Sequence, residues 1–311
     1  METGSPYISL IVPAYNEQEA ILPVIDEYYP YVDEIIVVDD GSSDETYVRA
    51  CTRVDAKVKV YQHVKNQGKV GALRTGISHA SGDIIVFTDA DCTYPACYVP
   101  EMVKILKEKK ADLVLGARLE ERKNIPLFNR IGNTLFSSLA GYISGKTIQD
   151  AQTGYRAMCK VMMPMLDVAA QSLEFETKMT VRAAKLGYTI VEIPIVYRER
   201  VGVSKLHPIR DGIRMLRGLV SIAWNETSPL GKMILGPSIS FIILGILFGL
   251  YSLYERFSVY HLSHAYFPMI AIFSVLLGMQ MFSIGLVIDY LTKKLDRIEE
   301  RIFSLNEKKK W

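Results

Sequence analysis

The chain has 311 residues, 49% of them hydrophobic, with 36 basic and 34 acidic side chains and a formal net charge of +2. That length allows one large domain or two modest ones. So small a net charge argues neither for nor against a polyanion, and no nucleic-acid partner is expected.

The N-terminus, METGSPYISLIVPAYNE, has no basic segment leading into an apolar one, so no cleaved signal is expected. Its apolar run, Ile8 to Val12, predicts a strand ended by Pro13. Ile35 to Val38 repeats the design before DDGSSD, and KVKVYQHV and DIIVFTDAD predict two further strands. Helical patterns cover 17–29, 44–53 and 69–80 between them. ADLVLGARL adds a strand, FNRIGNTLFSSLAGYIS an amphipathic helix, QDAQTGYRAM a polar loop, and residues around 174–186 another helix. TIVEIPIVYRER closes the set as a strand. Short strands alternating with helices predict an α/β domain with a mostly parallel sheet. The polar chemistry falls just after the strands, in PAYNE, DDGSSD and DAD. Ligands of open α/β sheets bind beyond the carboxyl ends of the strands. Neither GxGxxG nor GxxxxGK[ST] is present, which argues against dinucleotide and P-loop sites.

The last third reads differently. Residues 233–254 and 266–288 are uncharged stretches long enough to cross ~30 Å of hydrocarbon as helices. They predict a two-helix transmembrane hairpin. Basic residues flank it on the N- and C-terminal sides (Arg210, Arg214, Arg217, Lys232; Lys293, Lys294, Arg297, Arg301), and the connection carries only Arg256. The positive-inside rule then places the N-terminal domain and both termini in the cytoplasm. Residues 206–231 mix apolar and basic side chains at helical spacing and suit a membrane interface. The expected domains are therefore 1–205, 206–231, 232–290 and a helical tail, 291–311. In that tail Ile288, Leu291, Leu295, Ile298, Ile302 and Leu305 form a heptad seam. It fits either a coiled coil making a homo-oligomer or packing on the chain's own domain. The four cysteines lack zinc or redox spacing and fit buried thiols in a reducing compartment.

Asp89 and Asp91 stand two apart at a strand end, so both can face one ion. Paired acids there suit a hard divalent cation, Mg2+ or Mn2+, shared with phosphates. As a general acid and base they would be a poor pair, both being ionised.

With SLIVPAYNE, IIVVDDGSSDET, NQGKVGALRTGISHASGDIIVFTDAD and DAQTGYRA in view, the chain resembles glycosyltransferase family 2. It is similar in particular to the dolichyl- and polyprenyl-phosphate sugar synthases. GARL, FNRIGN, EFET and RVGVSK extend the match over roughly residues 7–206. The resemblance implies a GT-A nucleotide-sugar-binding domain and inverting transfer of a sugar, from a UDP-glucose or GDP-mannose type of donor, to a polyprenyl or dolichyl phosphate. It implies Asp89 and Asp91 on Mg2+ or Mn2+, with Thr93 where some members carry a Gln ligand. Pro13, Ala14, Tyr15, Glu17, Asp39, Asp40, Gln67, Lys69 and Ala90 would hold the nucleotide sugar, with Arg74 close by. Arg118, Arg130, Asn133, Arg200, Ser204 and Lys205 would hold the acceptor phosphate, and Glu176 would join the catalytic set. Plainer roles compete. Asp40 and Ser42 can cap the helix starting near Asp44. Lys69 can be a solvated charge, and Arg156 an ion-pair partner of Glu176. A family 2 enzyme acting on a saccharide or a diphosphate-linked lipid, and a membrane scaffold with a degenerate transferase domain, are the alternative functions.

Overall fold

The computed structural model describes residues 6–120, 127–145, 147–162, 175–202, 208–259, 264 and 266–308. Two compact units divide at Ser221 and Ile222.

The first unit is built on a seven-stranded sheet. Its strands are β1 (Ile8–Ala14), β2 (Glu34–Asp39), β3 (Val58–Gln62), β4 (Ile84–Phe87), β5 (Leu113–Glu120), β6 (Arg156–Cys159) and β7 (Ile190–Val196). Their order is β3-β2-β1-β4-β6-β5-β7. All pairings are parallel except those of β6, which runs antiparallel to β4 and β5. The expected mostly parallel sheet is thus present. Pro13 does not end β1: it pairs with Val38 and the strand runs on to Ala14.

Helices cover both faces, as a parallel sheet requires. Leu10 and Val12 of β1 and Ile35 and Val37 of β2 pack with α1 (Ile21–Tyr28) and α4 (Val99–Lys107). Ile11, Ile36 and Val38, one residue out of step, pack on the other face with α3 (Gly68–His79) and α6 (Phe175–Lys185). The alternation follows from the two-residue period of a strand. Each fully buried Ile or Leu side chain contributes about 1.5–3 kcal/mol by leaving water. A Cβ on Gly76 would stand 2.4 Å from Ile11, so α3 lies against β1 only because position 76 has no side chain. The short α2 (Thr46–Cys51) and the longer α5 (Leu127–Ser144) complete the layers before α7 (Pro208–Glu226).

Two elements fall outside the sequence expectation, α4 and β6. β6 has four residues and begins on a charged one, Arg156, so neither length nor alternation marks it as a strand. Its reversed direction matters for the site. In a parallel sheet only loops that follow strands reach the carboxyl edge. An antiparallel strand brings the loop that precedes it to the same edge, and here that loop is DAQTGY.

The second unit holds α8 (Pro229–Tyr254) and α9 (Phe267–Lys308). Pro229–Ser258 and Phe267–Leu295 are long and apolar enough to cross a membrane, and only 17% and 22% of their most apolar windows is buried. Such exposure is wrong for the core helices of a soluble protein. The helices meet closely at Gly245 and Gly278, where an added Cβ would lie 2.8 Å from Ala271 O and 2.9 Å from Ser238 O. Asp289 of α9 accepts from Ser228 N at the start of α8, at 2.7 Å, and from Lys293 at 2.6 Å. α9 runs unbroken through the heptad seam, and Leu291, Leu295 and Ile298 are exposed in this chain.

Candidate active site

A cavity of about 360 Å3 opens at the carboxyl ends of β1, β2 and β4. The β1 end gives it Pro13, Ala14, Tyr15 and Glu17. The β2 end gives Asp40, and the β4 end gives Asp89, Ala90 and Asp91. Lys69 enters from α3 and Arg200 from the segment after β7. Ten of the expected residues are thus brought to one wall. Asn66, Gly68 and Ala72 join them without having been expected, as they carry no charge or motif to flag them. A cavity of about 520 Å3 lies at the other end of the strands, around Tyr29, Arg53 and Asp55. Asp26 pairs with Arg53 there, and Asp55 accepts from Tyr29, so no unmatched chemistry faces it.

The DAD turn is fixed from several sides. Tyr28 Oη shares a hydrogen bond with Thr88 Oγ1 at 2.8 Å and donates to Tyr94 O at 3.0 Å. Thr93 donates to Asp91 Oδ1 from its hydroxyl at 2.6 Å and from its amide at 3.2 Å. The Thr93 hydroxyl is therefore spent on orienting Asp91. Arg198 N donates to Thr93 O and Val201 N to Asp91 O, each at 3.0 Å, so the segment after β7 is laced along the turn. Cys92, inside it, adopts φ +63°. Burial pushes its thiol up to about 11. All four cysteines are free, but none is the buried thiol expected: Cys51, Cys92 and Cys159 are half-buried and Cys97 is exposed.

Each acid of the turn meets a cation. Lys69 Nζ lies 2.6 Å from Asp89 and 2.9 Å from Glu176. Arg200 reaches Asp91 at 2.9 Å and also pairs with Glu17. Burial works against the Lys69 ammonium, but Asp89 and Glu176 outweigh it and hold its pKa well above the ordinary lysine range. Burial and the neighbouring Asp89 raise the pKa of Asp91, against the pull of Thr93 and Arg200. Glu176 thus serves as a counter-charge of Lys69, and its direct partner is Lys69 rather than Arg156.

The DAQTGY loop comes to Asp89 at Gly154. A Cβ there would lie 2.8 Å from Asp89 Oδ2 and 3.0 Å from Lys69 Nζ. Gly154 N donates to Tyr94 Oη at 3.0 Å. Arg156, 1% exposed, braces the loop by donating to Ala151 O, Thr153 O and Thr180 Oγ1. Tyr94 and the bracing role of Arg156 were not anticipated. Only a tyrosine two residues beyond the DADC run hinted at the first.

Asp40, on the wall, also has a structural role, and the remaining expected residues stand off the wall. Asp40 accepts from Gln67 N and Gly68 N, each at 2.8 Å, and from His63 Nδ1 at 2.7 Å. It therefore caps α3, the helix that carries Lys69, and not α2; Asp44 serves the start of α2 by accepting from Thr46 N. Ser42 accepts from Asn16 N, tying the β1 and β2 loops together. Asp39 is fully buried, and its Oδ1 has no partner among the described residues. Gln67 and Arg74 lie on the α3 segment outside the wall. Arg118 is held in a two-pronged pair with Asp150, at 2.7 and 2.8 Å, so it is not the open cation the motif implies. Arg130 and Asn133 sit half-buried on α5. Ser204 and Lys205 lie outside the described residues.

Among the described residues no three His, Cys, Asp or Glu side chains converge as a metal cage. Two carboxylates in an all-oxygen setting still suit Mg2+ or Mn2+, which bind through one or two protein carboxylates and complete their shell with water and phosphate.

The sheet, with its one reversed strand and its acid pair beyond β4, is a GT-A-type fold. A solved structure of mycobacterial glucosyl-3-phosphoglycerate synthase with Mn2+, UDP and phosphoglyceric acid superposes with a TM-score of 0.57 at 25% identity. The match covers 71% of this chain and 78% of that one. The Glycosyl transferase family 2 model matches residues 9–163. A dolichyl-phosphate hexose transferase of Haloferax volcanii is 30% identical over 223 residues, 70% of this chain and 95% of that protein. The UDP-N-acetylglucosamine--dolichyl-phosphate N-acetylglucosaminyltransferase of Methanococcus voltae is 30% identical over 62% of this chain and 86% of its own length. The chain belongs to glycosyltransferase family 2 and is a glycosyltransferase.

Proposed function

We propose that the chain moves a hexose, with inversion, from a uridine diphosphate sugar to the phosphate of a dolichyl or polyprenyl phosphate at the cytoplasmic membrane face. The observation that carries this is the cavity in which Asp89 and Asp91 stand with Lys69 and Arg200 in contact. The likeness to the dolichyl-phosphate transferases of Haloferax and Methanococcus supports the lipid phosphate, and the UDP-N-acetylglucosamine donor of the latter and the UDP of the mycobacterial complex support the uridine donor.

Pro13, Ala14 and Tyr15 face the base and ribose, and a base N–H reaching the end of β2 would satisfy the unpartnered Oδ1 of Asp39. Asp89 and Asp91 would hold Mg2+ or Mn2+, which as a Lewis acid would offset charge gathering on the departing diphosphate. The acceptor is a phosphate monoester with a second pKa of about 6, so it is largely ionised and needs no strong base. It needs cations. Arg200, Arg130 and Lys205 supply them, with Asn133 and Ser204 as hydrogen-bonding groups. Arg118, already matched by Asp150, shapes this side without adding charge. The two apolar helices keep the enzyme in the membrane that carries its acceptor. Arg217, Lys232, Lys293 and Lys294 flank them on the cytoplasmic side.

The full chain in detergent, given Mn2+ and dolichyl phosphate, is expected to transfer label from UDP-glucose or UDP-N-acetylglucosamine in preference to GDP-mannose. Transfer from none of these donors, or transfer only to a free saccharide, overturns the proposal.

A further inference from the structure

At the DAD turn Lys69 and Arg200 each serve two acids. Lys69 bridges Asp89 and Glu176, and Arg200 bridges Asp91 and Glu17. Four carboxylates and two cations sum to −4 + 2 = −2, the charge that one divalent ion cancels. An ion entering between Asp89 and Asp91 must compete with cations already in contact with both. Glu17 and Glu176 set the terms of that competition. They are 9% and 8% exposed, so a cation left with them alone remains matched. Without them a displaced cation would be stranded among poorly solvated groups, which is costly. The Arg200 backbone is held beside the turn by Val201 N on Asp91 O at 3.0 Å, so leaving Asp91 requires only side-chain rotation. Arg200 Nε, buried and with no acceptor among the described residues, can meet a new oxygen.

We propose that Lys69 and Arg200 are exchangeable counter-ions of the Asp89–Asp91 pair. They hold these carboxylates in the metal-free site and retreat onto Glu176 and Glu17 when a divalent ion enters, Lys69 there facing the incoming diphosphate and Arg200 the acceptor phosphate. Glu17 and Glu176 are then positioning residues that tune metal affinity. The inference rests on the proposed metal site.

Its test is Mn2+ binding, followed by electron paramagnetic resonance on the full chain in detergent without nucleotide. Arg200→Gln is expected to bind Mn2+ about three- to tenfold tighter than wild type, the range set by one partly exposed ion pair. Glu17→Gln, which leaves Arg200 to Asp91 alone, is expected to bind more weakly, and Arg200→Lys to stay near wild type. Arg198 and Glu27 pair at 2.9 Å beside the site and provide matched controls. Arg198→Gln and Glu27→Gln remove the same charges and are expected to change nothing. Equal affinity of wild type and Arg200→Gln, binding undetectable in both, or tightening in Glu17→Gln overturns the proposal. Asp91→Ala separates the two levels. If it binds Mn2+ with UDP as wild type does, the metal site itself is wrong and the exchange falls with it. If it fails to bind while Arg200→Gln matches wild type, the exchange alone is wrong.

Discussion

Arg156 and Arg200 belong to the same unit and serve the two segments that meet at Asp89, the DAQTGY loop and the DAD turn, yet they live under different rules. Arg156 is 1% exposed and spends its guanidinium on two backbone carbonyls and a threonine hydroxyl. Burial pulls its pKa down to about 10, against the opposite pull of Glu176 and Asp150. The Arg200 side chain is 30% exposed and shared between two acids, and its Nε has no acceptor among the described residues. The DAQTGY loop is closed bonding, while the DAD turn is a set of charges with room to change partners. Buried groups with every bond made specify shape, and partly open groups with unmatched charge do chemistry.

Asp91→Ala strikes the open region and is expected to lower transfer by about 10^3-fold, in line with removal of a main electrostatic stabiliser. Denaturant unfolding should show little change; a large loss of stability would mean that Asp91 belongs with the closed region. Arg156→Met strikes the closed one. It strands two buried carbonyls and is expected to cost about 3 kcal/mol in urea unfolding. Full stability in that variant would remove the contrast. Gly154→Ala tests where the regions touch. Its methyl would push Asp89 or Lys69 aside, and kcat/KM is expected to fall about tenfold with a smaller loss of stability. The smallest effect concerns pH. Burial works against the Asp150 carboxylate, but Arg118 prevails and holds it below the ordinary aspartate range. A lowered acid pKa gives stability that is complete above the unfolded value of about 4 and is lost as pH falls through the folded one. Thermal melts from pH 5 to 2 should show this loss in wild type and a shallower one in Asp150→Asn.

The parallel strands were legible because Ile8–Val12, Ile35–Val38 and Ile84–Phe87 are apolar runs followed by polar loops, and that pattern also located the cavity. The pairing of charges was not legible. Asp40 lies four residues before Asp44 in sequence, yet it caps a helix beginning at Gly68, because the parallel crossover lays the β3–α3 loop beside the end of β2. Arg118 matched a motif, but its partner Asp150 lies 32 positions on, across a stretch whose return a one-dimensional pattern cannot show. β6 stayed hidden for a related reason: a four-residue central strand bordered by neighbours on both sides needs no alternation of its own.

Arg118 joins Asp150 through both side-chain prongs and through its backbone amide at 3.0 Å. Arg118 lies near the end of β5, and β6, which begins at Arg156, comes back beside β5 in the sheet. The chain between the two residues is therefore an excursion closed at its neck. A change in the length of the chain between them is absorbed beyond the neck, without shifting the register of β5 and β6.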